Sequence, residues 1–214
     1  MTNSIAEVVD ADAIIVIGSN TTEAHPVIGA QIRQAVQRGA KLIVAEPREI
    51  PLVQDAHIFL KIKPGTNIAL INGLMHVIIS EGLYDKEYVE NRTEGFEELR
   101  EVVQHYTPER VAEICGIDAE DLKEAARLYA RADKAPIFYA MGVTQHSSGT
   151  AGVMSISNLA LLCGKVGKYG CGVNPLRGQN NVQGACDMGC LPGDYTGYQK
   201  VANPEARAKF ERAW

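Results

Sequence analysis

The chain has 214 residues, 46% of them hydrophobic, and a formal net charge of −5 at pH 7. A chain of this length and composition buries a sizeable core, and its acidic balance argues against a broad basic face for nucleic acid or an anionic membrane. No apolar run approaches the roughly 18 residues that cross a bilayer, and the first twelve residues contain no basic segment typical of a secretion signal, so we expect a cytoplasmic protein with no membrane span and no nucleic-acid partner.

The cysteines and histidines are dispersed along the chain. Five cysteines, at positions 115, 163, 171, 186 and 190, form no CxxC pair, whereas an iron–sulfur cluster normally takes four thiolates from tighter spacings. Five histidines form no HxH or HExxH motif. We therefore predict no metal ligand in this chain. His25 and His146 flank presumed strand-end loops and remain candidates for a function.

The first part of the chain alternates between strand and helix patterns. Residues 12–18 form a short apolar run ending in glycine, which predicts a strand buried on both faces of a parallel sheet. Pro26 opens a helical pattern, and residues 42–45 predict a second strand that completes a βαβ unit. Residues 57–62 predict a third strand, followed by a long helix over residues 68–80.

The middle of the chain is predicted to be helical from residue 84 to residue 132. Four polar residues are candidate N-caps of these helices: Asp85, Thr93, Thr107 and Asp118. Residues 135–140 then predict another buried strand, and residues 152–162 a further helix. From residue 164 to residue 197, glycine, asparagine and proline recur without a lasting period, which predicts a long functional loop.

This order of elements predicts an α/β fold. We expect a doubly wound, mostly parallel sheet with helices on both faces over residues 1–178, of the kind that binds dinucleotides. Residues 179–214 are expected to be the start of a neighbouring domain that is incomplete in this chain.

Polar residues cluster where the first two predicted strands end, which is the edge at which open parallel sheets bind ligands. Residues 18–26, GSNTTEAHP, are small and polar and allow backbone amides to approach a phosphate. Glu46 is suited to accept hydrogen bonds from a ribose, and Arg48 to contact a base or a phosphate. The alternative is an ordinary pair of charges at a strand end, since the GxGxxG and Walker motifs are absent.

A charge-poor, amide-rich segment over residues 174–189 contains a single arginine, Arg177. Its planar guanidinium is suited to bind a small carboxylate with two parallel hydrogen bonds. The alternative interpretation is that Arg177 pairs with Asp187 or caps a helix. An acyl-transfer enzyme is disfavoured because no GxSxG motif occurs.

Five segments, in order and in spacing, closely resemble the cofactor-binding motifs of one enzyme family. That family is the large subunit of molybdenum- or tungsten-dependent formate dehydrogenases, which belong to the bis-molybdopterin guanine dinucleotide enzymes. The segments are residues 17–26 (IGSNTTEAHP), 45–48 (AEPR), 63–67 (KPGTN), 141–145 (MGVTQ) and 177–189 (RGQNNVQGACDMG).

The resemblance implies a binding role for specific residues. One guanosine–pyrophosphate arm of the cofactor would be held by Asn20, Glu23, Glu46, Arg48, Gly65 and Asn67, with Gly18 and His25 in the same cofactor-binding set. Four residues would lie nearer the pterin, namely Met141, Gln145, Gly178 and Gln179. Arg177 would hold formate beside the metal.

The resemblance also implies a reaction, the oxidation of formate to carbon dioxide with transfer of electrons to partner subunits or domains. In that family the [4Fe-4S] cysteines and the cysteine or selenocysteine that binds the metal lie upstream of these motifs, and this chain contains neither. We therefore expect a fragment that is inactive by itself. The alternatives are another enzyme of the same cofactor class, such as a nitrate reductase, and a non-catalytic nucleotide-binding module.

Overall fold

Five short apolar segments pair into one parallel sheet with the strand order β3-β2-β1-β4-β5. The strands are β1 (Ala13–Ile17), β2 (Lys41–Ala45), β3 (Ile58–Leu60), β4 (Ile137–Tyr139) and β5 (Val173–Pro175). A computed structural model describes residues 1–214, and the chain divides into two units, Met1–Leu176 and Arg177–Trp214. The five-stranded sheet belongs to the first unit.

Nine α-helices and two short 3-10 helices complete the first unit. The 3-10 helices span Ile5–Asp10 and Pro51–Asp55. The α-helices are α1 (Thr21–Ala24), α2 (Pro26–Gln37), α3 (Asn67–Ser80), α4 (Lys86–Arg92), α5 (Phe96–Val103), α6 (Pro108–Cys115), α7 (Ala119–Arg131), α8 (Met141–Thr144) and α9 (Gly149–Leu162). None of the helices is both long and apolar enough to cross a membrane.

The central strand β1 is buried on both faces, which confirms the predicted doubly wound α/β fold. Ile15 and Ile17 belong to one apolar core, which includes side chains of α3, α7 and α9. Ile14 and Val16 belong to a second core, which includes side chains of α2. Because successive strand side chains point to opposite faces, an uninterrupted apolar strand requires helices on both sides of the sheet.

Helix α3 is the centre of the larger core. It packs against α5, α6, α7 and α9, and its buried residues lie on several sides of the helix. A helix that is apolar nearly all round is stable in water only when other elements cover it. Gly73 allows the closest approach, because a β-carbon there would lie 2.9 Å from Val111 Cγ2 and 3.1 Å from Leu122 Cδ2.

Three of the four predicted helix caps are confirmed, and one is wrong. Asp85, Thr107 and Asp118 each accept a hydrogen bond from a backbone amide in the first turn of the following helix. Thr93 instead ends α4, and its hydroxyl donates to the carbonyl of Val89 at 2.7 Å. Gly95, with a left-handed φ of 73°, turns the chain into α5.

The predicted long loop over residues 164–197 contains a strand that its composition hides. Strand β5 is only three residues long, pairs in parallel with β4, and forms one edge of the sheet. Asn174 and Pro175 both have low strand propensity, and proline is tolerated in strands mainly at an edge, where one side needs no ladder hydrogen bonds.

The second unit consists of short elements around a small aromatic cluster. Its helices are α10 (Val182–Asp187) and α11 (Pro204–Ala213), and its strands β6 (Asp194–Tyr195) and β7 (Gln199–Lys200) pair antiparallel. Tyr195 stacks on Phe210 with ring centroids 4.5 Å apart. The Tyr198 hydroxyl donates to Asp187 at 2.8 Å and so ties the hairpin to α10. The unit begins two residues before the domain boundary that the sequence predicted, and its completion by a larger domain stays a prediction.

Candidate functional site at the sheet edge

The strand order places a topological switch point between β1 and β4. From β1 the chain continues to β2 and β3 on one side, whereas β4 and β5 lie on the other side. Loops that leave neighbouring strands in opposite directions open a crevice at the carboxyl ends of the strands. The segments that follow β1, β2 and β4 are therefore the first candidates for a binding site.

Two glycines bring the loops after β1 and β4 into direct backbone contact. The Gly142 amide donates to the Gly18 carbonyl at 3.0 Å. A β-carbon on Gly18 would lie only 2.7 Å from the Gly142 carbonyl carbon, and one on Gly142 only 2.7 Å from Gly18 Cα. Gly18 also has a left-handed φ of 59°. Both positions therefore require glycine.

Glu46 is the buried acid of this edge, with 8% of its surface exposed. Burial raises the pKa of the Glu46 carboxyl, while a hydrogen bond from the Ser19 amide and the positive charge of Arg48 act in the opposite direction. The Ser19 bond joins the ends of β1 and β2. A carboxylate has several acceptor sites, so one backbone bond leaves Glu46 able to accept hydroxyl groups of a ligand. Arg48 itself is exposed.

Two buried hydroxyls in the loop after β1 have no hydrogen-bond partner. Ser19 Oγ and Thr21 Oγ1 are unpaired, and the residues are 3% and 0% exposed. Buried polar groups in proteins are nearly always paired, so two neighbouring exceptions are notable. Gly18, Asn20, Glu23 and His25 were predicted from this segment, whereas Ser19 and Thr21 were not, although both lie inside the motif.

The remaining predicted residues of this loop are more accessible. Asn20 is partly buried, and its side-chain oxygen accepts from the Thr22 hydroxyl at 3.1 Å. Glu23 is exposed on the short helix α1. His25 lies between α1 and α2 and is partly buried. The polar side chains of the loop after β1 thus range from fully buried to exposed.

Asn67 links the start of α3 to the loop after β4. It is buried, and its side-chain amide donates to the Gly142 carbonyl at 3.3 Å. His146 Nε2 lies 2.9 Å from the same oxygen. Gly65, with a φ of 84°, forms the exposed turn before this helix. The structure therefore brings the predicted residues Gly18 and Asn67 to Gly142, because the Gly18 carbonyl accepts from the Gly142 amide and the Asn67 side chain donates to the Gly142 carbonyl.

The predicted residues nearer the pterin belong to two parts of the chain. Met141 and Gln145 are exposed at the two ends of the single helical turn α8. Arg177, Gly178 and Gln179 belong to the second unit and precede α10. In that unit Asp187 accepts hydrogen bonds from Tyr198 and Gln183.

The rest of the first unit offers less chemistry. Cavities of about 100, 880 and 570 Å³ lie between α4, α5 and α9, around His105, and around Tyr88, and none of the three contains a predicted site residue. No group of three or more histidine, cysteine or acidic residues is arranged to hold a metal ion. The switch-point edge is therefore the best candidate site.

Comparison with known proteins identifies the family. A model of the molybdopterin oxidoreductase family matches residues 1–211, and the chain belongs to this family of oxidoreductases. Membership implies a molybdopterin cofactor that carries molybdenum or tungsten, as the sequence motifs predicted.

The chain is similar over its whole length to proteins named as formate dehydrogenases. It is 52% identical to the alpha subunit of an F420-dependent formate dehydrogenase of Methanocaldococcus jannaschii and covers 32% of that protein. It is 50% identical to formate dehydrogenase H of Escherichia coli and covers 30% of that protein. Identity to an assimilatory nitrate reductase catalytic subunit of Bacillus subtilis is 35%, again over the whole chain. The chain spans about a third of the length of these relatives.

A solved structure supports the fold assignment. Acetylene hydratase from Pelobacter acetylenicus superimposes with a TM-score of 0.71 and 37% identity, over 79% of this chain and 23% of the hydratase. This neighbour is named for the addition of water and not for a formate reaction. Similarity of fold within the family therefore does not by itself decide the reaction.

The contact between the two glycines predicts a large loss of stability on substitution. In Gly18→Ala the new methyl group clashes with backbone atoms of the loop after β4. Alanine at this position also adopts the strained left-handed backbone conformation. Gly82→Ala is the matched control, because Gly82 has a similar φ of 65° but no atom within 4 Å of the added carbon. We expect Gly82→Ala to lower the free energy of unfolding by about 1 to 2 kcal/mol, and Gly18→Ala by roughly 1 to 3 kcal/mol more. Urea unfolding of both variants tests this, and equal losses would contradict it.

The raised pKa of Glu46 predicts a specific dependence of stability on pH. Because the folded state holds this proton more tightly than the unfolded chain, the stabilising contribution is fully present below the ordinary pKa of 4.5 and is lost as the pH rises through the folded-state pKa. Glu46→Gln cannot ionise, so its free energy of unfolding minus that of the wild type should increase over the same window. Urea unfolding between about pH 4 and pH 8 measures the difference, with the exposed Glu49→Gln as control. A difference that stays constant with pH for Glu46→Gln would refute the assignment.

Proposed function

We propose that this chain is the part of a molybdenum- or tungsten-dependent formate dehydrogenase that binds one guanosine–pyrophosphate arm of molybdopterin guanine dinucleotide. The observation that carries the proposal is the identity of 50–52% to two formate dehydrogenases over the entire chain. The relatives are about three times longer, so the complete reaction is assigned to the longer protein.

The switch-point edge fits such a cofactor chemically. The unpaired hydroxyls of Ser19 and Thr21 and the carboxyl of Glu46 offer donors and acceptors to an oxygen-rich ligand. Gly18 and Gly142 have no side chains, so a ligand can approach the backbone closely. The hydroxyls that the protein leaves unpaired support an oxygen-rich ligand such as a ribose or a pyrophosphate at this edge.

By this proposal the sequence-predicted residues keep their roles. The residues that hold the guanosine–pyrophosphate arm are Gly18, Asn20, Glu23, His25, Glu46, Arg48, Gly65 and Asn67, and we add Ser19 and Thr21. The residues nearer the pterin are Met141, Gln145, Gly178 and Gln179. Arg177 binds formate.

The roles of these side chains follow from their charges. When bound, the metal cofactor supplies the two-electron oxidation of formate to carbon dioxide. The Arg177 guanidinium makes two parallel hydrogen bonds to the formate carboxylate, and these fix the direction of the C–H bond. Glu46 accepts ribose hydroxyls and anchors the cofactor at the sheet edge.

Other components of the reaction lie outside this chain in our proposal. Electrons leave through partner subunits or domains, and a [4Fe-4S] cluster belongs to a different part of the longer protein. A cytoplasmic location remains our expectation.

Two alternatives are distinguishable by experiment. A nitrate reductase is the enzyme alternative, but the identity of 35% to such a subunit is well below the identity to formate dehydrogenases. A non-catalytic nucleotide-binding module is the alternative of another class. It would bind guanine nucleotide without any formate-dependent reduction in the longer protein.

Glu46 should control nucleotide affinity. We expect the purified chain to bind GDP or molybdopterin guanine dinucleotide, and Glu46→Ala to weaken binding roughly tenfold or more, because a charged hydrogen-bond acceptor is lost. Isothermal titration measures this, with Glu49→Ala as the matched control since Glu49 is exposed two residues beyond Pro47. Equal affinity of Glu46→Ala and wild type would remove Glu46 from the site, and no binding by the wild type would show that this chain does not form a complete nucleotide site.

Arg177 should control the reaction of formate. In a formate dehydrogenase that contains this chain, we expect Arg177→Ala to lower kcat/KM for formate roughly 100-fold or more, because the bidentate contact with the substrate is lost. Formate-dependent dye reduction measures it, and the 214-residue chain alone should show none. Arg207→Ala is the control, since Arg207 pairs with Glu211 on α11. A loss no larger than that of the control would rule out the proposed role.

A further inference from the structure

The carbonyl group of Gly142 is the acceptor on which two side chains from separate segments converge. Asn67 Nδ2 lies 3.3 Å from the oxygen and His146 Nε2 lies 2.9 Å from it. The amide of the same residue donates to the Gly18 carbonyl at 3.0 Å. Gly142 is thus held by the loop after β1, by the start of α3 and by the segment that follows α8.

The His146 contact determines which nitrogen of the neutral imidazole carries the proton. A carbonyl oxygen only accepts hydrogen bonds, so Nε2 must carry the proton. Neutral His146 therefore exists as the Nε2–H tautomer, and its Nδ1 atom keeps the lone pair. The contact is retained when the ring is protonated, because both nitrogens are then donors. His146 itself is exposed at this edge of the sheet.

Helix α8 is too short for a backbone amide to donate to the Gly142 carbonyl, so a side chain supplies the donor. Helix α8 is a single turn, and the amide of Gln145 bonds to Met141. The side chain of His146, four residues after Gly142, takes the position of the donor that a longer helix would provide from its backbone. His146 thereby fixes the C-terminal end of α8 beside the end of β1, although the helix itself ends at Thr144.

We propose that His146 is a positioning residue of the cofactor site. It holds the Gly142 carbonyl, in the peptide group directly after the one whose amide bonds to Gly18, and so fixes the width of the crevice and the course of Met141 to Gln145. The ligand part of this inference rests on the proposed function, whereas the contact itself does not. Without His146 the carbonyl keeps only the longer bond from Asn67, and the peptide gains freedom to rotate. Binding sites lose affinity when backbone groups that contact the ligand are no longer held in place.

The tautomer is tested directly by nitrogen NMR of the 214-residue chain. Long-range correlation between the ring nitrogens and ring protons should show neutral His146 with its proton on Nε2. Detection of the Nδ1–H tautomer would overturn the proposal, because that form cannot donate to Gly142.

The positioning role is tested with three variants of the same chain. Amide exchange at Gly142 and the affinity for GDP are measured for His146→Ala, His146→Gln and His105→Ala. Glutamine keeps a nitrogen donor at the end of its side chain, and His105 is an exposed histidine between α5 and α6. We expect His146→Ala to accelerate exchange at Gly142 and to weaken GDP binding about three- to tenfold. His146→Gln should restore both properties substantially, and His105→Ala should leave both unchanged.

The two readouts separate failure of this inference from failure of the proposed function. Unchanged exchange at Gly142 in His146→Ala overturns the positioning role, whatever the nucleotide affinity. Equal effects of alanine and glutamine also overturn it, because a lost donor then does not explain the change. Absence of GDP binding by the wild type counts against the proposed function, and the exchange comparison still decides the role of His146.

Discussion

Two glycine backbones in contact, Gly18 after β1 and Gly142 after β4, set the geometry of the whole carboxyl edge of the sheet. Strands that are direct neighbours lie about 4.8 Å apart, so the loops that leave them in opposite directions leave no room for a β-carbon on either peptide. The parallel pairing of β1 with β4 therefore depends on glycine at both positions. At the same place, Asn67 from the start of α3 and His146, four residues after Gly142, both reach the Gly142 carbonyl.

The packing that buries the sheet also encloses the polar residues at the carboxyl ends of β1 and β2. The strand β1 is apolar throughout because helices cover both of its faces, and polar residues begin at the first position where the chain leaves the sheet. Glu46 follows β2 without an intervening residue, so its carboxyl is enclosed by the core and the pKa is raised. Ser19 and Thr21 are enclosed in the same way and are left unpaired. Buried hydroxyls without partners lower stability, and this cost supports the proposal that a polar ligand binds at this edge.

The sequence predicted the fold well where the signal was local and repeated. Apolar runs such as β1 and β2 and caps such as Asp85 and Asp118 follow from strand burial and from side-chain oxygens at helix starts. Strand β5 was missed because Asn174 and Pro175 carry no strand pattern, and only pairing with β4 makes the segment extended. Thr93 was misassigned because a threonine is equally suited to end a helix by bonding back to Val89. The position of the Asn67 side chain at Gly142 depends on a contact between residues 75 positions apart in sequence, which periodicity does not encode.

The residues proposed for the nucleotide arm lie in the first unit of the chain, and the arginine proposed for formate lies in the second. The switch-point edge of the first unit carries the groups that we propose for the nucleotide arm, and the structural neighbour, which shares the fold, is named as a hydratase. Arg177 is the first residue of the second unit, directly after Leu176, whose amide bonds to Tyr139 of β4. By our proposal the residues for the nucleotide arm and the arginine for formate therefore belong to different units of the chain. The molybdopterin family follows from the match over residues 1–211, whereas the proposed reaction with formate rests on the identity of 50–52% to two formate dehydrogenases, because a shared fold does not determine the reaction.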